Sequence, residues 1–89
     1  MVYKLFFSKR SEKELDKLDS HISKLIVKWL KNNIDGCSNP RLHGKALVGS
    51  RAGQWRYRIG DYRVICEIRD NQLIVLAISI GHRKNVYEN

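Results

Sequence analysis

Two spacings of apolar residues divide this chain into a helical part and a sheet-like part. Between residues 20 and 33 the apolar positions recur every three or four residues, as they do along one face of a helix. That stripe consists of Ile22, Leu25, Ile26, Trp29, Leu30 and the polar Asn33. Apolar and polar residues alternate strictly from residue 55 to residue 59, and β-prone residues dominate from 62 to 80. The pattern therefore predicts helices first and a sheet afterwards.

The first eighteen residues predict a strand and a short helix. Residues 2–7 are β-prone, and Ser8 ends them. The highly charged segment that follows, as far as Leu18, predicts a helix on the protein surface. Its expected cap is Ser8 or Ser11, and Ser11 would form a capping box with Glu14.

A second helix begins at a cap provided by Asp19 or Ser20, and Asn33, Asp35 and Gly36 mark its end. The connection between the helices is so short that we expect an antiparallel helical hairpin. The face opposite the apolar stripe carries three lysines, Lys24, Lys28 and Lys31. The simplest interpretation is a solvated face, and a second is general attraction of a large polyanion.

Residues 34–53 contain the only proline and four of the six glycines, and they predict a long loop around a short element at 42–48. A loop of this length in so small a chain is usually functional or mobile. A functional interpretation places four of its polar residues near a partner, namely Arg41, His43, Lys45 and Arg51. The alternative treats them as ordinary loop residues, and for His43 we favour that alternative.

Residues 55–63 read Trp-Arg-Tyr-Arg-Ile-Gly-Asp-Tyr-Arg and predict a basic β-hairpin. A two-residue turn at Gly60 and Asp61 would place Arg58 opposite Arg63 and Arg56 opposite Ile65. Two arginines facing each other destabilise a sheet unless an anion lies between or above them. The pairing therefore suggests an anionic ligand, although arginines on a strand more often belong to a solvated face.

A third strand, residues 72–80, follows a tight turn at Asp70 and Asn71. In the implied register Val75 lies opposite Cys66, and Ile78 lies near Arg63. The expected core face comprises Trp55, Tyr57, Val64, Cys66, Val75 and Ala77. The other face mixes cations with Ile65, Ile74, Leu76 and Ile78, which the helices, the C-terminal tail or another protein must cover.

Composition narrows the class of protein. The 89 residues suffice for one small domain with a shallow surface site but not for an enclosed cofactor cavity, so we expect a single domain and no cofactor. A net charge of +8 points to a polyanion, with nucleic acid first and an anionic membrane or acidic protein behind it. The two cysteines have no metal-binding spacing, so we expect no metal. No apolar run approaches the roughly 20 residues of a membrane span, so a cytoplasmic protein is expected.

The last residues add a further cationic segment. Gly-His-Arg-Lys-Asn-Val-Tyr, residues 81–87, leaves the last strand next to Arg63 in the implied register. Cations would bind phosphate, Tyr87 would stack on an unpaired base, and His82 would move a proton near neutral pH. A frayed basic terminus is the competing interpretation.

Three runs of residues resemble the RelE branch of the RelE/ParE toxin superfamily of toxin–antitoxin modules. They are residues 40–45 (Pro-Arg-Leu-His-Gly-Lys), residues 53–65 with the pattern W-R-Y-R-x-G-D-Y-R, and residues 80–87 with G-H-R-x-x-V-Y. The resemblance extends over essentially the whole chain. It implies an α+β fold of order β-α-α-β-β-β, with a helical hairpin packed on a small antiparallel sheet.

The resemblance also implies an activity and partners. Such a toxin enters the ribosomal A site, cleaves mRNA there by attack of the 2′-oxygen on the adjacent phosphorus, and is neutralised by a small antitoxin. A heterotetramer with the antitoxin is one assembly that the resemblance allows. The implied catalytic set is Arg56, Arg58, Arg63, His82, Arg83 and Tyr87. From their charge and position in the chain, we expect further RNA contacts from Arg51, Lys45, Lys84, Lys24, Lys28 and Lys31. The best-studied relative has lysine at the positions of Arg56, Arg58 and His82.

Two other functions remain open at the level of sequence. One is a ParE-like toxin that inhibits DNA gyrase and cuts nothing, and the other is an inactive member that only binds its antitoxin. For the nuclease, arginine cannot act as the base because its pKa stays above about 12. The proton transfer is therefore predicted to fall to His82, to Tyr87 or to a ribosomal group, with His82 preferred.

Overall fold

The computed structural model describes residues 1–82, which form two helices packed on one face of a five-stranded sheet. The elements in chain order are β1 (Lys4–Phe7), α1 (Lys9–Lys17), α2 (Ser20–Asn33), β2 (Lys45–Ala46), β3 (Trp55–Ile59), β4 (Tyr62–Arg69) and β5 (Ile74–His82), with one 3-10 turn at Gly49–Arg51. The predicted α+β class and order β-α-α-β-β-β are confirmed. The two-residue β2 is an addition inside the long loop.

Helix α1 begins at Ser8, one of the two predicted caps. The Ser8 Oγ accepts a hydrogen bond from the Ser11 backbone N–H at 3.1 Å. The alternative capping box is wrong, because the buried Ser11 hydroxyl donates to the Ser8 carbonyl. Glu14 is not available for a cap, since its carboxylate accepts the Ile80 N–H at 2.8 Å and so joins α1 to β5.

Helix α2 packs its predicted stripe against the sheet with one exception. Ile26 and Leu30 are fully buried, and Ile22 and Trp29 pack against the same core. Leu25 is 51% exposed, so its assignment to the buried face is wrong. Five apolar positions make a stripe wider than the contact that one small sheet offers to a single helix.

The sheet order is β1-β5-β4-β3-β2, and all neighbouring strands are antiparallel except β1 and β5, which are parallel. The expected purely antiparallel sheet is therefore corrected. The two helices carry the chain back across the sheet before β5 forms, and this allows β1 to pair parallel with it. The outer side of β1 is partly covered, because Tyr3 exchanges backbone hydrogen bonds of 2.8 Å with Gly36 and Cys37.

The basic hairpin has the predicted register. Ile59 pairs with Tyr62 across a two-residue turn, and Arg58 pairs with Arg63. Gly60 in the turn has a φ of +60°, a backbone conformation that glycine adopts without strain. The local turn chemistry was thus sufficient to fix this pairing.

The predicted register of β4 with β5 is wrong. Cys66 pairs with Ala77 rather than Val75, and Arg63 pairs with Gly81 rather than Ile78. The turn between these strands contains four residues rather than two, and the register shifts again at a bulge beside Cys66. A bulge inserts one extra residue into a strand, which local sequence does not reveal.

The predicted core face is nevertheless confirmed, because its β5 residues Val75 and Ala77 lie before the bulge, where a shift of two residues leaves a side chain on the same side. The sheet residues Tyr57, Val64, Cys66, Val75 and Ala77 are fully buried against α2, and Trp55 packs at their margin. On the opposite face Ile65 is fully buried, and Ile74, Leu76 and Ile78 are half-buried. The helices, one candidate to cover those residues, lie on the other side of the sheet.

Within residues 1–82, neither helix combines the length and the hydropathy that a membrane crossing requires.

Candidate nucleic-acid interface

Three arginines lie together on the sheet face opposite the helices. Arg58 and Arg63 are direct cross-strand partners, and Arg56 is on the same face one alternation along β3. Tyr57 between them is fully buried on the helix side, which fixes the orientation of both neighbours. Arg58 is exposed, whereas Arg56 and Arg63 are half-buried. We call Arg56, Arg58 and Arg63 the arginine face.

His82 does not share the arginine face. It pairs with Tyr62, and the two rings meet edge to face at 5.6 Å. Tyr62 packs against the helix-side core, and residues two apart on a strand point to the same side, so His82 and the buried Ile80 face α1. The expectation that His82 and the hairpin arginines form one pocket is therefore wrong for the histidine side chain.

The polar residues around His82 form a separate cleft of about 330 Å³ between α1 and the end of β5. Arg10, Glu14 and Lys17 of α1 contribute to its wall. The backbone of β5 passes next to Arg63 at Gly81. The expectation that the chain leaves the last strand beside Arg63 is therefore confirmed at Gly81. Arg83, Lys84 and Tyr87 lie outside the described residues.

The lysines of α2 are also separated from the arginine face. The exposed Lys24, Lys28 and Lys31 belong to the helical layer, on the other side of the sheet. They therefore contribute to the overall positive field rather than to contacts at the arginine face. Lys45 and Arg51, in contrast, lie on the loop that borders β3.

The loop extends the cationic surface beyond β3. A groove of about 300 Å³ is lined by Ala46, Leu47, Val48, Arg51 and Arg56. It combines two guanidinium groups with the side chain of Val48, which is 84% exposed. Arginine next to exposed apolar surface is a composition suited to a phosphate and the base attached to it.

A second cleft, of about 280 Å³, lies at the outer edge of β3. Its lining residues are Trp29, His43, Gly44, Lys45, Arg56 and Arg58. The first residue of β2, Lys45, pairs with Arg56. Within the described residues, no strand pairs with this edge of β3 after Arg56. We call this the edge cleft. The sequence-based interpretation of His43 as an ordinary loop residue missed this cleft. The only sequence signal for the cleft was the spacing of two residues between His43 and Lys45.

The loop that carries His43 is fixed to the sheet by hydrogen bonds. The Trp55 indole N–H donates to the His43 carbonyl at 2.7 Å, and the buried Tyr57 hydroxyl donates to the Pro40 carbonyl at 2.6 Å. Burial raises the pKa of Tyr57, so its hydroxyl stays a proton donor. Immediately after His43, Gly44, at a φ of +85°, passes close to the backbone of β3.

Arg41 has a structural partner rather than an open surface. Its guanidinium donates to both carboxylate oxygens of Asp70 at 2.9 and 3.0 Å, and the Tyr3 hydroxyl donates to the same carboxylate at 2.6 Å. The Arg41 hydrogen bonds, followed by that of Tyr3, lower the pKa of Asp70 to about 2. Arg41 therefore ties the loop to the turn between β4 and β5 and is not placed at the arginine face.

The fold and the basic hairpin define the class of this protein. A family model described as the ParE toxin of the type II toxin–antitoxin system parDE matches residues 5–87. The chain belongs to this family and is a type II toxin of the RelE/ParE superfamily.

Individual relatives extend the comparison. Toxin RelG of Mycobacterium tuberculosis is 28% identical over 87 residues, 98% of each chain. The mRNA interferase toxin RelE of Escherichia coli K12 is 29% identical over 85 residues, 94% of this chain and 86% of that one.

Solved structures show the same fold. The toxin–antitoxin complex RelBE2 of Mycobacterium tuberculosis contains a chain that superposes with a TM-score of 0.84 at 28% identity, over 96% of this chain and 97% of that one. A mutant of the E. coli toxin RelE in the free state superposes with a TM-score of 0.74 at 27% identity, covering 94% of this chain and 86% of that one. The first of these neighbours is bound to an antitoxin, as its name states.

Proposed function

We propose that this chain is a ribosome-dependent mRNA endonuclease that cuts mRNA in the ribosomal A site and thereby stops translation in the cytoplasm. The arginine face carries the proposal. A cross-strand pair of arginines with a third beside it is costly in a bare sheet but suits the transition state of RNA transphosphorylation, in which negative charge builds up on the phosphorus oxygens. Arg56, Arg58 and Arg63 would bind and stabilise that charge.

The sequence adds Arg83 to this charge-binding set and Tyr87 as a stacking or proton-transfer residue. Lys84, Lys45 and Arg51 would contact neighbouring phosphates, and the lysines of α2 would attract the ribosome from a distance. The position of His82 beside Tyr62 argues against its predicted role in proton transfer. The proposed partners are the ribosome with its mRNA and a neutralising antitoxin, and the names of the relatives support both.

The name of the matching family favours a second candidate, a ParE-like toxin that inhibits DNA gyrase without cutting nucleic acid. The two candidates differ in their product. A nuclease leaves a 2′,3′-cyclic phosphate and a 5′-hydroxyl within translated codons, whereas a gyrase inhibitor leaves broken DNA or DNA that has not been supercoiled.

One experiment separates them. The chain is expressed from a tightly controlled promoter, mRNA 5′ ends are mapped, and the purified protein is added both to programmed ribosomes and to a gyrase supercoiling assay. The nuclease proposal expects growth arrest and new 5′-hydroxyl ends inside codons, on ribosomes only. Growth arrest with intact mRNA and inhibited supercoiling would contradict it, and absence of growth arrest would indicate a member that only binds its antitoxin.

A further inference from the structure

We propose that the edge cleft holds the ribose of the scissile nucleotide and that His43 takes its 2′ proton. This inference rests on the proposed nuclease function and assigns the proton transfer to a residue that the sequence analysis set aside.

The edge cleft opens onto the arginine face. Arg56 and Arg58 line both surfaces, so a phosphate bound by these arginines would have its sugar within the cleft's reach. A volume of about 280 Å³ accommodates one nucleotide but not a duplex. Lys45 on β2 adds a third cation to the same wall.

Both the backbone and the ring of His43 are held in place, although the residue lies in an exposed loop. Its carbonyl accepts the Trp55 indole N–H, and its imidazole packs edge to face on Trp29 with ring centroids 5.4 Å apart. Gly44 immediately follows in close contact with β3, which leaves little freedom to the loop at this point. A proton-transfer group needs such positioning, because the geometry of the reacting atoms decides its efficiency.

The chemistry of the cleft leaves His43 as the group that can exchange a proton. Arginine keeps its proton in any protein setting, and lysine in contact with water keeps it at neutral pH. Among the ionisable residues lining the edge cleft, only histidine belongs to a type that titrates near neutral pH. The other two described histidines lie elsewhere, His21 in the first turn of α2 and His82 on the helix side of β5.

The step is balanced without a metal or cofactor. His43 accepts the proton of the 2′-hydroxyl while the O2′–P bond forms. The P–O5′ bond then breaks, its electron pair stays on O5′, and water supplies the proton that makes the 5′-hydroxyl. The products are a 2′,3′-cyclic phosphate and a free 5′ end, and the imidazolium returns its proton to water.

The test is single-turnover cleavage of mRNA on programmed ribosomes, with ribosome binding measured separately. The His43→Ala variant is expected to cut about 10²-fold or more slowly with binding changed less than about threefold, because general acid–base catalysis contributes about 10² to 10⁴. Added imidazole should restore part of the rate. His43→Phe keeps an aromatic ring against Trp29 but carries no proton, so it should be equally slow while remaining folded by circular dichroism.

His21→Ala is the matched control, since it removes a histidine from the helical layer. A rate within about threefold of wild type for His43→Phe, or a slow His43→Ala that imidazole does not rescue, would overturn the assignment while leaving the nuclease function intact. A wild-type protein that makes no cut on programmed ribosomes would instead overturn the proposed function, and this inference with it.

Discussion

Arg58 and Arg63 face each other directly on neighbouring antiparallel strands, at the positions where like charges interact most strongly. Such a pair lowers the stability of a sheet in the absence of an anion. Arg58 is the exposed partner, and its only described hydrogen bond is a long one of 3.4 Å to the Gly60 carbonyl. Function and stability are therefore expected to conflict at this pair.

The first prediction concerns that conflict. Arg58→Gln should raise the free energy of unfolding by about 0.2–1 kcal/mol, because it removes the like-charge repulsion. The same change should lower mRNA cleavage on ribosomes by about 10²-fold, as expected for the loss of one charge-stabilising donor. Urea unfolding and single-turnover cleavage measure the two effects.

Arg10→Gln is the control for charge removal, since Arg10 lies on α1 with its side chain 69% exposed. It should leave cleavage unchanged. An Arg58→Gln variant that is both less stable and fully active would show that the pair is structural.

The second prediction concerns the contact of Gly44 with β3. A Cβ atom at Gly44 would lie 2.2 Å from the Arg56 carbonyl oxygen and 2.6 Å from the Trp55 indole nitrogen. Gly49 also has a positive φ, of +69°, but has nothing within 4 Å of its Cβ position. Gly49→Ala should cost about 1–2 kcal/mol from backbone strain alone, and Gly44→Ala should cost about 1–3 kcal/mol more from the steric clash.

Thermal or urea unfolding of the two variants side by side gives the difference. Equal destabilisation would mean that the loop moves away from β3 at little cost. The contact of Gly44 with β3 would then not hold His43 in position.

The third prediction concerns the buried hydroxyl of Tyr57. Tyr57→Phe removes the donor to the Pro40 carbonyl and leaves that acceptor without its partner. The expected cost is about 1–3 kcal/mol in the free energy of unfolding. Tyr62→Phe is the matched control, because within residues 1–82 the Tyr62 hydroxyl has no recorded hydrogen bond, and its cost should be markedly smaller. A Tyr57→Phe variant as stable as wild type would indicate that water replaces the hydroxyl.

The fourth prediction is a dependence on acid. The pKa of Asp70 falls to about 2 from an ordinary value near 3.8. A lowered pKa means that the ionised group stabilises the fold above about pH 4 and that this contribution is lost as the pH falls through 2. The difference in unfolding free energy between wild type and Asp70→Asn should therefore shrink between pH 4 and pH 2.

Arg41→Ala provides the complementary measurement. It removes the larger cause of the shift, so the Asp70 carboxylate should titrate closer to its ordinary value when followed by NMR. An unchanged titration would assign the effect to the Tyr3 hydroxyl instead.

Local signals predicted the elements and one register well. The two-residue turn at Gly60 fixed the pairing of Arg58 with Arg63, because a tight turn leaves only one register. The turn at Asp70 did not, since it extends to Leu73 with a φ of +55°. The bulge beside Cys66 then shifted the pairing again. Neither the longer turn nor the bulge could be predicted from the local sequence.

The sequence by itself determined the α+β class, the buried side of each central strand and the arginines of the hairpin, because these depend on periodicity and on a local turn. The tertiary structure alone decided that His82 faces the helices and that His43 meets the arginines at the edge of β3. Those relationships depend on the pairing of strands and on loop anchors between residues far apart in sequence, where a shift of one residue reverses the direction of a side chain.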